Sequence, residues 1–257
     1  MALNQVSGED GTRLARHDVA AGAVAQVLLL ALLAGTVGLG PAGRLTGLVF
    51  AVGTWLLLTR ALRRARPGPF GPANRVTLAR ATLVGGVTAL VADSLDGPPR
   101  VTPLAALTGV ALVLDAVDGL VARRTGTVSE LGARFDMEVD AFLILVLSVY
   151  VSVGLGAWVL LIGLMRYGFV AAARVLPWLN APLTPSTARK AVAAFQGVAL
   201  LAAATCLPRP VALPLILLAL ATLTWSFGRD ILALHRTRPR SAPPLPGPVP
   251  RESAPVG

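Results

Sequence analysis

The feature that most constrains this chain is the recurrence of apolar stretches about 20 residues long, the length a helix needs to cross a bilayer. They fall at about 19–39, 44–62, 75–93, 101–122, 135–153, 157–176, 189–207 and 211–228. Charged residues make up only 14% of the chain, against roughly 25% in soluble domains. Mean hydropathy is +0.70. A soluble core of this size cannot hide that much apolar surface, so the sequence reads as an all-α integral membrane protein with eight crossings. One cysteine, Cys206, excludes an internal disulfide scaffold.

A formal net charge of +10 would suggest nucleic acid in a soluble protein, but in a membrane protein it marks the cytoplasmic loops. No nucleic-acid partner is expected. With the N-terminus inside, every Lys and Arg falls on the cytoplasmic side except Arg44, Arg100 and Arg209 outside and Arg166 within the sixth span. Both termini are therefore expected to be cytoplasmic. The first apolar run is too long for the hydrophobic region of a signal peptide, so it reads as an uncleaved helix.

The expected organisation is a cytoplasmic segment at 1–18, a transmembrane helix pair at 19–62, a basic linker at 63–73, a core at 74–230 and a disordered tail at 231–257. Pro67, Pro69 and Pro72 interrupt the linker. The tail is rich in proline and lacks apolar periodicity.

Acidic residues are few, and six of the 13 lie between Asp115 and Asp140. At about 100° per residue, Asp118, Gly119, Ala122 and Arg123 lie roughly −60°, +40°, −20° and +80° from Asp115 on a helix. Gly132, Asp136 and Asp140 follow at i, i+4 and i+8 and form one stripe. The eight-residue link from Arg124 to Leu131 makes the two helices antiparallel neighbours. Four aspartates can thus face one cleft. Carboxylates so confined need hard cations, and an all-oxygen set favours Mg²⁺, Mn²⁺ or Ca²⁺ over zinc. Gly119, Ala122 and Gly132 leave room for a ligand, and Arg123 can pair with phosphate. The pattern reads as a metal-dependent diphosphate site.

These residues match the signature D-x2-D-G-x2-A-R-x8-G-x3-D-x3-D at every fixed position, from Asp115 to Asp140. The chain therefore resembles the CDP-alcohol phosphotransferase family. Asn74, Thr77 and Arg80 resemble the N-x-[LIV]-T-x2-R motif that opens the family's first core helix, although Ala73 separates Pro72 from Asn74. The resemblance spans about residues 70–230 and implies a six-helix transmembrane core, to which the pair at 19–62 is an addition.

By resemblance, the activity is transfer of a phosphatidyl or similar substituted phosphate from a CDP-linked lipid, such as CDP-diacylglycerol, to an alcohol, releasing CMP. Asp115, Asp118, Asp136 and Asp140 would hold Mg²⁺ or Mn²⁺, with Asp140 also the base toward the acceptor hydroxyl. Gly119, Ala122, Arg123, Gly132, Asn74, Thr77 and Arg80 would bind the CDP moiety. A homodimer in a bacterial plasma membrane, with a cytoplasmic active site, is also implied.

Arg166, Arg174, Arg189 and Lys190, the only lysine, gather toward the cytoplasmic ends of the sixth and seventh spans. They are candidates for binding a phosphorylated acceptor such as glycerol 3-phosphate or inositol phosphate, against the simpler reading that they mark topology. Two other functions compete. A divalent-cation or solute transporter could use the same carboxylates, but such sites favour the bilayer midplane and broken helices. A catalytically lapsed scaffold is disfavoured by the intact signature.

Overall fold

The computed structural model describes residues 2–64, 72–125, 130–181 and 186–236, with side chains described for 17–61, 75–117, 132–181 and 186–236. Eight α-helices occupy the described residues, without a strand: α1 (Ala2–Thr36), α2 (Pro41–Arg64), α3 (Pro72–Asp96), α4 (Val101–Thr125), α5 (Glu130–Leu155), α6 (Leu160–Val175), α7 (Thr187–Thr205) and α8 (Arg209–Arg236). Short 3-10 turns at Ala157–Val159 and Pro177–Asn180 flank α6. Every expected span has its helix.

Six of the helical segments are long and apolar enough to cross a membrane: those of α1, α2, α3, α5, α6 with its preceding turn, and α8. The apolar stretch of α4 within the described side chains is shorter, Val101–Val117. In α7 the polar Arg189, Lys190 and Gln196 offset the apolar residues. The outer surface is dressed for lipid, with Leu28, Leu32, Leu45, Leu57, Leu217 and Leu218 all exposed. The protein is a multi-pass membrane bundle.

At the centre stands α3, with 67% of its span inside the protein against 17% for α2. It packs on α1 and α2 on one side and on α4 and α5 on the other. Gly85 lets α1 and α2 approach: a Cβ there would lie 2.5 Å from the Gln26 amide and 2.6 Å from the Phe50 ring. Leu30 and Leu33 of α1 join Val84, Val87 and Leu90 of α3 in the main apolar core, which continues through Leu104, Leu143, Leu147, Leu200 and Ile216. The N-terminal helix pair is thus part of the same core and not a separate layer.

Opposite the linker end of α3, two loops are stitched together. Gly38, with φ of +72°, ends α1 in the left-handed region that glycine enters without strain. The Gly40 N–H then donates to Oδ1 of the buried Asp93 at 2.6 Å. Arg100, leading into α4, donates to the Gly38 carbonyl at 3.4 Å and sits 3.9 Å from Asp93 Oδ2.

Two boundaries differ from the expected organisation. Pro72, expected within the linker, is the first residue of α3, because the first helical position needs no N–H and favours proline's fixed φ. The rest of the linker, 65–71, lies outside the described residues. At the other end α8 continues through 231–236, which the sequence assigns to the tail. Leu234 packs with Ala173 and Leu179, and His235 meets the edge of Trp178 at 5.6 Å. Residues 237–257 lie outside the described residues.

Candidate active site

Three helices bring side chains to one point. On α3, Thr77 and Arg80 are one turn apart and both are buried. On α4, Asp115 faces them, and on α5, Asp136 and Asp140 are also one turn apart. The Arg80 guanidinium ties the three together. Its Nη1 donates to Asp115 Oδ1 at 2.5 Å, while Nη2 donates to Asp136 Oδ1 and lies 3.0 Å from Asp140 Oδ1. Nη2 also reaches the Asp136 carbonyl at 3.4 Å.

Burial divides the cluster into a floor and a mouth. The Arg80 side chain is 1% exposed, whereas those of Asp115, Asp136 and Asp140 are 39%, 33% and 44% exposed. One carboxylate oxygen from each of the three aspartates lies within 4.8 Å of the others. Such a set, all oxygen and partly open, suits a hard divalent cation of the Mg²⁺ or Mn²⁺ type. The helices run unbroken through the cluster, unlike the interrupted helices that form transporter sites.

Among the remaining signature residues, Gly132 is buried one turn before Asp136 on α5. Asp118, Gly119, Ala122 and Arg123 continue the α4 helix, so Asp118 follows Asp115 by three positions. Their side chains lie outside the described residues, as does that of Asn74 in the first turn of α3.

The basic residues expected to meet an acceptor are arranged differently. Arg166 Nη2 on α6 donates to Glu138 Oε1 on α5 at 2.6 Å. Arg189 pairs with Asp230 of α8 at 3.3 Å, and Arg229 reaches the same carboxylate at 3.4 Å. Arg174, in the last turn of α6, and Lys190, in the first turn of α7, are exposed. Gln196, six residues after Lys190 on α7, is buried and donates to the Ala219 carbonyl at 2.9 Å, joining α7 to α8.

Sequence reasoning missed two partnerships. It treated Arg80 as a ligand for CDP and did not see that it faces three aspartates. The signal was available, since a lone arginine in an apolar helix needs acidic partners. The pairing of Glu138 with Arg166 is the second. Two residues from both Asp136 and Asp140, Glu138 is turned away from their stripe and toward α6.

Searches of curated proteins and of solved structures each find no match. A sequence model of the CDP-alcohol phosphatidyltransferase family matches residues 71–225, more than half of the chain and the whole of the acidic cluster with the arginine beneath it. The chain belongs to the CDP-alcohol phosphatidyltransferase family.

Proposed function

We propose that this protein transfers a phosphatidyl group from CDP-diacylglycerol, or a closely similar CDP-linked lipid, to a phosphorylated polyol and releases CMP. Glycerol 3-phosphate and inositol phosphate are the acceptors of the expected type. The observation that carries the reading is the meeting of Asp115, Asp136 and Asp140 at one point inside the segment that the family matches.

In this mechanism Asp115, Asp118, Asp136 and Asp140 would hold Mg²⁺ or Mn²⁺, which would supply charge stabilisation for the departure of CMP. Arg123, Asn74 and Thr77 would fix the CDP diphosphate, Arg80 would hold the aspartates from beneath, and Gly119, Ala122 and Gly132 would keep the cleft open. The acceptor oxygen bonds to the lipid-bearing phosphorus as the P–O bond to CMP breaks. Asp140 takes the acceptor proton, a role that requires a carboxylate within reach of the hydroxyl.

Arg166, Arg174, Arg189 and Lys190 would draw the phosphate of the acceptor toward the mouth of the site. For Arg166 this requires release from Glu138. Both termini and the reaction centre are assigned to the cytoplasmic side of a bacterial plasma membrane on the arginine distribution, and a homodimer on family resemblance. A transport function is not favoured by the continuous helices around the cluster.

The direct test supplies membranes containing the overexpressed chain with radiolabelled CDP-diacylglycerol, Mg²⁺ or Mn²⁺, and each acceptor in turn. A phosphorylated lipid product and stoichiometric CMP with a phospho-polyol are expected. Efficient use of serine, with glycerol 3-phosphate and inositol phosphate inert, would overturn the acceptor assignment. Absence of CMP release with every acceptor would overturn the transfer itself.

A further inference from the structure

We propose that Arg80 is a built-in counter-cation, which neutralises the acidic cluster when no divalent ion is present and competes with that ion for the same oxygens. The inference rests on the divalent-cation reading above and goes beyond the CDP-binding role that family resemblance implies for Arg80.

The geometry points this way for three reasons. First, Asp115, Asp136 and Asp140 come from two different helices, and each has an oxygen near the same guanidinium on a third. Like charges this close oppose the convergence of α4 and α5 on α3 unless a cation stands between them. Second, Arg80 is almost wholly enclosed, so its own charge depends on these carboxylates for compensation. Third, the guanidinium lies at the floor while the aspartates remain partly open. An incoming cation approaches from the side opposite Arg80 and meets carboxylates already gathered for it.

Two consequences are thermodynamically linked. Loss of the Arg80 charge leaves the cation-free cluster more negative, which lowers the stability of the empty protein. The same loss makes the cluster a stronger ligand for a divalent ion. What the empty state loses is recovered on binding, so the cation-bound state changes little.

The test uses the full chain in detergent micelles, with Tm measured in EDTA and in saturating Mn²⁺, and Mn²⁺ affinity measured by titration. Neither measurement contains a CDP-lipid or an acceptor, so failure of the transferase reading would leave this result intact, and the reverse also holds. For Arg80→Gln we expect Tm in EDTA to fall by on the order of 10 °C. In saturating Mn²⁺ it should stand near the wild-type value, and Mn²⁺ should bind on the order of 100-fold more tightly, the fold-change that matches the Tm loss. Arg80→Lys, which keeps the charge, should recover much of the stability in EDTA. Equal Tm losses in EDTA and Mn²⁺ would mean that Arg80 fills space only and would overturn the proposal. Unchanged Tm with unchanged Mn²⁺ affinity would do the same. If Arg80→Gln does not fold, Arg80→Gln combined with Asp140→Asn should, since it removes one repelling charge; failure of that pair to fold overturns the proposal too.

Discussion

Arg80 and Asp115 are joined by a 2.5 Å hydrogen bond between helices α3 and α4, in which a buried guanidinium meets a carboxylate that is partly open. The enclosed partner of this pair is the cation and the accessible one is the anion. Among the described side chains of the cluster, the accessible groups are therefore carboxylate oxygens.

Replacement of Asp136 by Asn should abolish cation-dependent transfer, with activity falling on the order of 100-fold or more. The change removes a ligand oxygen's charge and one partner of Arg80 together. The check is acceptor-dependent CMP release across a Mn²⁺ titration. Wild-type membranes stripped with chelator should also be inactive, and full CMP release from them would refute the cation requirement.

Asp140→Asn should separate chemistry from binding. If this residue takes the acceptor proton, turnover should fall by about 10²- to 10⁴-fold, with CDP-lipid affinity nearly unchanged. Measuring both quantities decides the matter: comparable losses in turnover and in nucleotide binding would make Asp140 a cation ligand alone.

The ion pair of Arg166 with Glu138 makes the acceptor hypothesis testable in both directions. Arg166→Ala should raise the acceptor KM roughly 10- to 100-fold, with CDP-lipid binding unaffected. Glu138→Gln, which releases the guanidinium, should lower that KM. If both variants leave the acceptor KM untouched, Arg166 and Glu138 form a packing contact between α5 and α6. Lys190→Ala offers the parallel test on α7.

Asp93→Ala should destabilise the protein by about 1–3 kcal/mol, the cost of stranding a buried hydrogen-bond partner. The Gly40 N–H would lose its acceptor and Arg100 its nearby carboxylate. Thermal unfolding in detergent should register the loss, while the affinity for Mn²⁺ stays at the wild-type value because the acidic cluster, on α4 and α5, meets α3 near its opposite end.

Helix positions are legible in this sequence because each apolar stretch is bounded by arginine, glycine or proline. The stretch at 135–153 lies inside α5, and that at 211–228 inside α8. Helical spacing also places Asp136 and Asp140 on one face of α5, but the short connection does not make α4 and α5 direct neighbours: each packs chiefly on α3, and Asp115 meets Asp136 and Asp140 around Arg80. Arg80 is another matter. It lies 35 residues before Asp115 and 56 before Asp136, and the pairing depends on the relative heights of α3, α4 and α5, which no periodicity within one helix specifies. The Arg166–Glu138 pair was hidden by the same dependence on depth. The end of α8 was hidden because Leu234 gains its burial from Ala173 and Leu179, remote in the chain.

The central position of α3 also bears on biosynthesis. A chain made from its N-terminus delivers α1 and α2 to the membrane first and α3 next, so Arg80 enters the bilayer before Asp115 and Asp136 reach it. An arginine within an apolar helix is disfavoured in lipid until it finds an opposite charge. The α1–α2 hairpin, already in place, offers α3 a protein surface around Gly85 and Leu78 to lean on during that interval. The early hairpin can therefore serve as a docking template for an arginine-bearing helix that must wait for its acids.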